Sequence, residues 1–185
     1  MKKRMAVKSA QGRGFTLIEL LVVILIIAVL LAMLFPAITA LRRAALTRKA
    51  TTQAQAIANA VKQYYVAYNI WPAQTQGASD TIYDGANQAS VIAALTNNPR
   101  GVLFLEIASD SIMNGCYMDP WLHPYVIAMD ENDNGHADMN SGKYSPSMTM
   151  SASGTVAVAS WGRDPDDPDA TPAELQGRRV YAWMQ

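Results

Sequence analysis

The sequence predicts an α+β fold: a long N-terminal helix, membrane-spanning in its first half and amphipathic in its second, packed on a small antiparallel β-sheet. Three observations lead there. Leu20 to Phe35 run sixteen residues without a polar side chain. Residues 37–68 then contain neither Pro nor Gly and are rich in Ala, Gln, Arg and Lys, a composition that continues a helix. Beyond Trp71-Pro72, short β-prone runs alternate with turn residues.

At 185 residues and 50% hydrophobic content, the chain has room for one modest domain with an appendage. Its 15 basic and 15 acidic residues balance only because Lys2, Lys3, Arg4, Lys8 and Arg13 precede the apolar run with no acid beside them. Without residues 1–14, 10 basic residues stand against 15 acidic ones. That surplus of acid predicts no nucleic-acid binding, which rests on clustered Lys and Arg. Cys116 is the single cysteine, so no intramolecular disulfide can fasten the loops.

A helix from Phe15 to Phe35 would reach about 31 Å, one hydrocarbon thickness. The run is too long for a secretory signal, and it ends at Phe35-Pro36 with no Ala-x-Ala site. The basic flank places residues 1–14 in the cytoplasm. An ordinary anchor leaves Glu19 unexplained, because an ionisable residue in an apolar helix calls for a partner; the plainer alternative is an acid snorkelling at headgroup level. Pro36 removes one backbone hydrogen bond inside the continuing helical pattern and should bend or loosen it, unless the helix simply ends there.

Gly14-Phe15-Thr16-Leu17-Ile18-Glu19-Leu20-Leu21, behind a short basic leader, resembles the type IV prepilin cleavage and methylation signature. The resemblance implies a pilin-like fold, cleavage of Gly14-Phe15 by a membrane-embedded prepilin peptidase, and methylation of the new Phe15 amine. It also implies that Glu19 meets the Phe15 amine of a neighbouring subunit. An unpaired carboxylate and an unpaired ammonium are each costly in hydrocarbon, whereas the pair would set axial register. Pro36 stands where family members carry a proline. The expected organisation is a leader at 1–14, a membrane and filament-core helix at 15–38, and a periplasmic globular domain at 39–185 that includes the second half of the helix.

In the domain, Ile57, Val61, Tyr64 and Tyr68 recur at helical spacing and predict a core-facing stripe. Arg42, Arg43, Arg48 and Lys49 form a basic turn just past the membrane, a solvated face or a contact for a neighbour's acids. Ile70-Trp71-Pro72 ends the helix, and residues 74–88 read as loop. A second short helix is expected at Ala89–Thr96, and short strands at Val102–Ile107, Tyr125–Met129, Val156–Ser160 and Val180–Trp183.

Asp119-Pro120-Trp121-Leu122-His123-Pro124-Tyr125 resembles the DPWGNPY segment of type II secretion major pseudopilins, with Leu122 and His123 in place of Gly and Asn. Leu takes positive φ at a greater cost than Gly. Tyr68-Asn69-Ile70-Trp71-Pro72 resembles the segment that closes the family's long helix, and Ser160-Trp161-Gly162-Arg163-Asp164 its SLGADG segment.

Two acidic stretches are candidate calcium sites. Asp130, Asn132, Asn134, His136 through its carbonyl, and Asp138 follow the first half of an EF-hand-like loop around Gly135, although Ser141 replaces the bidentate Glu. Asp164, Asp166, Asp167 and Asp169 gather four carboxylates in six residues, where like charges must stay solvated or recruit a cation. The pseudopilin resemblance implies calcium late in the sheet, with Asp164 on one matching position and Asp167 or Asp169 on another. An acidic turn that binds nothing is the alternative at either place.

No enzyme is expected: His123 and His136 lack metal-protease spacing, and Ser160 lacks a nucleophile elbow. The resemblance implies a structural pseudopilin of a periplasmic type II secretion filament. Its partners would be identical and related pilin-like subunits, the prepilin peptidase, an inner-membrane assembly platform and, before assembly, lipid. The alternatives are a type IV pilin or minor pilin for adhesion, motility or DNA uptake, and a membrane-anchored calcium-dependent binding module. The expected location is the bacterial inner membrane, single-pass with the N-terminus cytoplasmic, then the periplasmic filament.

Overall fold

The computed structural model of the chain describes residues 15–74, 80–141, 148–167 and 170–184. Helix α1 (Leu17–Tyr68) is continuous across Pro36, so the proline does not end it. The Thr39 hydroxyl donates to the Pro36 carbonyl at 2.8 Å, one turn past the missing N–H. Asn69 closes the helix with φ +55°, its N–H donating to the Tyr65 carbonyl at 2.7 Å, a left-handed cap that Asn adopts more cheaply than most residues.

The chain divides into two compact units at Arg43/Ala44. In the first, the apolar side chains of α1 are exposed throughout, Leu17 at 87% and Leu30 at 61%. The second unit contains the rest of α1, helices α2 (Gln88–Thr96) and α3 (Pro172–Arg178), and strands β1 (Ile82–Tyr83), β2 (Ile112–Met113), β3 (Cys116–Tyr117), β4 (Val126–Met129), β5 (His136–Ser141), β6 (Met148–Ser153), β7 (Val156–Ser160) and β8 (Val180–Met184). An antiparallel sheet runs in the order β1-β4-β7-β8, while β2-β3 and β5-β6 are separate antiparallel pairs.

Strands β4 and β7 are buried at every position because both faces of the sheet are covered. Side chains alternate across a strand, so Ile127, Met129, Val156 and Val158 join Ala54, Ile57, Ala58 and Val61 of α1 and Val91, Ile92 and Leu95 of α2. On the other face Val126, Ala128, Ala157 and Ala159 meet Ala137 and Met139 of β5 and Ala152 of β6. Small residues dominate that face, which lets the hairpin lie close against the sheet. Of the helical stripe, Ile57 and Val61 are fully buried and Tyr64 and Tyr68 half-buried against Phe104.

Several expectations need correction. Val102–Ile107 is not a strand: Phe104 and Leu105 both donate backbone N–H groups to the Leu95 carbonyl, at 2.9 and 3.2 Å. The segment folds back on the end of α2 and buries Leu105 there, instead of pairing with a strand. The stretch 74–88 is not wholly loop, since β1 pairs with β4. The hairpin β5-β6 and helix α3 were not expected at all. Strand β5 alternates exposed and buried residues, but its buried set is Ala137, Met139 and Ser141, too weakly apolar to announce a strand.

Glu131, at the edge of this sheet, is buried and accepts from Tyr83 Oη at 2.7 Å and Thr81 Oγ1 at 3.3 Å. Burial raises its carboxyl above the ordinary range, against the lowering effect of those two donors. A raised acid binds its proton more tightly when folded, so its contribution is complete at low pH and is lost as pH rises through the folded value. Glu131→Gln removes that loss. The difference in melting temperature, variant minus wild type, should therefore be more positive at pH 7 than at pH 4.5, as calorimetry at the two pH values will read.

Candidate functional site

The described chain begins at Phe15; Gly14, the other half of the expected cleavage bond, lies outside the described residues. Phe15 is 75% exposed. Thr16 and Glu19 form a capping box at the start of α1. The Thr16 N–H and hydroxyl donate to Glu19 Oε2 at 2.9 and 2.8 Å, and the Glu19 N–H donates back to Thr16 Oγ1 at 3.2 Å. Glu19 thus has a partner within its own chain, on one oxygen. Its Oε1 takes no hydrogen bond among the described residues and is free to meet a second donor. Thr-x-x-Glu before an apolar run was readable from sequence, and so was the same box at Thr171 and Glu174 that starts α3. Pro36 lies inside α1 among exposed apolar side chains.

The loop Asp130–Gly135 is built by Asx turns. Asp130, buried, accepts from Asn134 N at 3.0 Å and Gly135 N at 2.9 Å, one on each carboxylate oxygen. Asn132 Oδ1 accepts from Asn134 N, and Asn134 Oδ1 from His136 N. His136 and Asp138 stand on β5, both exposed, and the Asp138 N–H donates to Asp80 Oδ2 at 2.9 Å. In the second cluster, Asp164 lies 3.4 Å from Arg163 Nη1 and Asp167 2.9 Å from Arg178 Nη1, so each carboxylate has an arginine beside it. Asp169 lies outside the described residues. A shallow cleft of about 570 Å³ is lined by His123, Asp164, Pro165, Asp166 and Asp167. Among the described residues, no three His, Cys, Asp or Glu side chains converge where a metal ion could sit.

The most constrained polar site is the turn at Asp119. Its buried carboxylate accepts from Trp121 N and His123 N on Oδ1, both at 2.9 Å, and from Ser160 Oγ on Oδ2 at 2.6 Å. Ser160 Oγ in turn accepts from Gly162 N at 3.0 Å, and His123 Nδ1 lies 3.1 Å from the Gly162 carbonyl oxygen. Burial raises the Asp119 carboxyl, and these donors oppose the rise. The segments 119–125 and 160–164, noted separately in the sequence, are therefore one clasp. Leu122 adopts φ +67° at its tip, so the glycine-like turn forms despite the side chain. Gly162, at φ +75°, packs so closely that an added Cβ would lie 2.0 Å from the Arg178 carbonyl oxygen.

Residues 11–35 match the family model described as the prokaryotic N-terminal methylation motif. The chain carries the prepilin-type signature of type IV pilin-like proteins. No curated protein and no solved structure matches it. The signature belongs to structural subunits processed by a prepilin peptidase and assembled into pilin-like polymers. Helix α1 has the length and apolarity to cross a membrane, with mean hydropathy 3.3 over its richest stretch, and makes a single-pass anchor.

A left-handed Leu costs roughly 1–2 kcal/mol, and a glycine's extra unfolded-state entropy about 0.5–1. Leu122 is 68% exposed and buries little, so Leu122→Gly should stabilise the chain by about 0.5–1 kcal/mol in denaturant titration. Gly162→Ala should destabilise it by roughly 2–4 kcal/mol in the same titration, through backbone overlap added to the strain of positive φ.

Proposed function

We propose that the protein is a pseudopilin, a structural subunit of a periplasmic type II secretion filament cut after Gly14 and methylated at Phe15. The observation that carries the secretion assignment over a pilus is the clasp. Asp119-Pro120-Trp121 lies in the segment that resembles the major-pseudopilin DPWGNPY, Leu122 has positive φ where that segment carries Gly, and the turn is bonded to the SLGADG-like segment at Ser160. In this reading Phe15 and Glu19 pair between neighbouring subunits. The Thr16 box holds one Glu19 oxygen, and the other receives the amine.

Mass spectrometry of the chain isolated from its native membrane tests the processing. The expected N-terminus is methylated Phe15, and an intact Met1 would sink the reading. Secretion, as opposed to a pilus role, is tested by deletion: loss of exported protein with twitching and DNA uptake intact is expected, and the reverse pattern would replace the secretion filament with a pilus.

Calcium enters this reading on donor chemistry alone. Asp164 and Asp167, with Asp169, would supply oxygens at the late loop, or Asp130, Asn132, Asn134 and Asp138 with the His136 carbonyl at the earlier one. A bound ion would neutralise acids that a disulfide-free body leaves crowded. Adding excess EDTA to the detergent-solubilised chain should then lower its melting temperature by several degrees, restored by calcium but not by magnesium. An unchanged melting curve would remove the metal.

A further inference from the structure

We propose that the outward face of α1 from Thr52 to Val66, with the groove beside Phe104, docks the acidic body of a second copy of this chain. The proposal rests on the filament-subunit reading and adds to it a surface and a sign of charge.

Thr52, Gln55, Asn59, Gln63 and Val66 are exposed and follow one another at helical spacing. None is charged. A helix face meant only for solvent carries many Lys and Glu, whereas buried interfaces are depleted of charge, and Asn and Gln hydrogen-bond between packed helices. At the distal end of this face a groove of about 450 Å³ is lined by Asn59, Lys62, Gln63, Val66, Ala67 and Phe104, with apolar surface predominating. Val66 is 78% exposed there, and Leu103, next in chain to Phe104, is 60% exposed. These positions lie well past the apolar run that ends at Phe35, so lipid does not account for them.

Charge selects the occupant. Residues 44–68 contain Arg48, Lys49 and Lys62 and no acid, whereas residues 69–185 contain 14 acidic and 5 basic residues. Arg48, four residues before Thr52, and Lys62, in the groove, border this uncharged face, so basic groups flank it while the body is net acidic. In a polymer of identical subunits, one copy's helix can meet the next copy's body, and opposite charges steer that encounter.

The test is in-cell cross-linking of tagged and untagged full-length copies in the native host. Gln63→Glu with Val66→Glu places like charge against the acidic body without removing a buried group. Cross-linked oligomer should fall by roughly tenfold. Gln63→Lys with Val66→Lys should keep or raise it. Equal loss in both variants would overturn the acidic partner, and wild-type levels in both would overturn the docking face. Glu19→Ala separates the two readings: if it abolishes oligomer while both double variants assemble normally, the filament reading stands and the docking face falls. If Glu19→Ala also assembles normally, the filament reading itself fails. Increased membrane retention of the Lys variant, with wild-type oligomer in both double variants, would mark the face as a lipid contact and overturn the proposal.

Discussion

The molecule depends on how one helix divides its apolar surface. Past Ala44, α1 buries Ala54, Ile57, Ala58 and Val61 against its own sheet and α2. Before Arg43 it buries nothing, although its side chains there are the most apolar in the chain. Burial of apolar area at roughly 25 cal/mol per Å² is the main favourable term available to a protein, and half of this helix leaves it unclaimed within the monomer. A lipid bilayer or other subunits must supply it. Storage in a membrane and assembly into a polymer are two ways of meeting the same requirement.

Glu19 is the polar exception in that stretch. The capping box satisfies one of its oxygens with Thr16, which lessens the cost of carrying a carboxylate in the apolar region and fixes the side chain at the helix start. The other accepts from no described residue. A motif that looked like an isolated acid is a local two-residue device with one open valence.

Within the body, polar fastening replaces the missing disulfide. Asp119 gathers two backbone N–H groups and the Ser160 hydroxyl, and so binds the 119–125 turn to the end of β7. Arg178 reaches Asp167, and the Arg179 guanidinium lies 5.1 Å from the Trp161 ring centroid, so the α3 end of the chain is tied to the same region. The Asp130 loop shapes itself through Asx turns in the same manner. Within the two acidic stretches, Asp130 is held by backbone N–H groups and Asp164 and Asp167 each have an arginine alongside.

What the sequence determined by itself was whatever depends on near neighbours. The apolar run, the Gly14-to-Glu19 signature, the unbroken helix to Tyr68, α2 and the β-prone runs of β4, β7 and β8 are all local patterns with strong periodicity or specific spacing. Tertiary structure decided the rest. Strand β5 is a strand because Ala137 and Met139 find the alanine face of the sheet, and 102–107 is not one because the Leu95 carbonyl captures its N–H groups. The clasp joins residues 41 positions apart, and Leu122 tolerates its positive φ because Asp119 holds the turn on both sides. Such contacts have no periodicity to read, since each partner is chosen by the packing that brings it near.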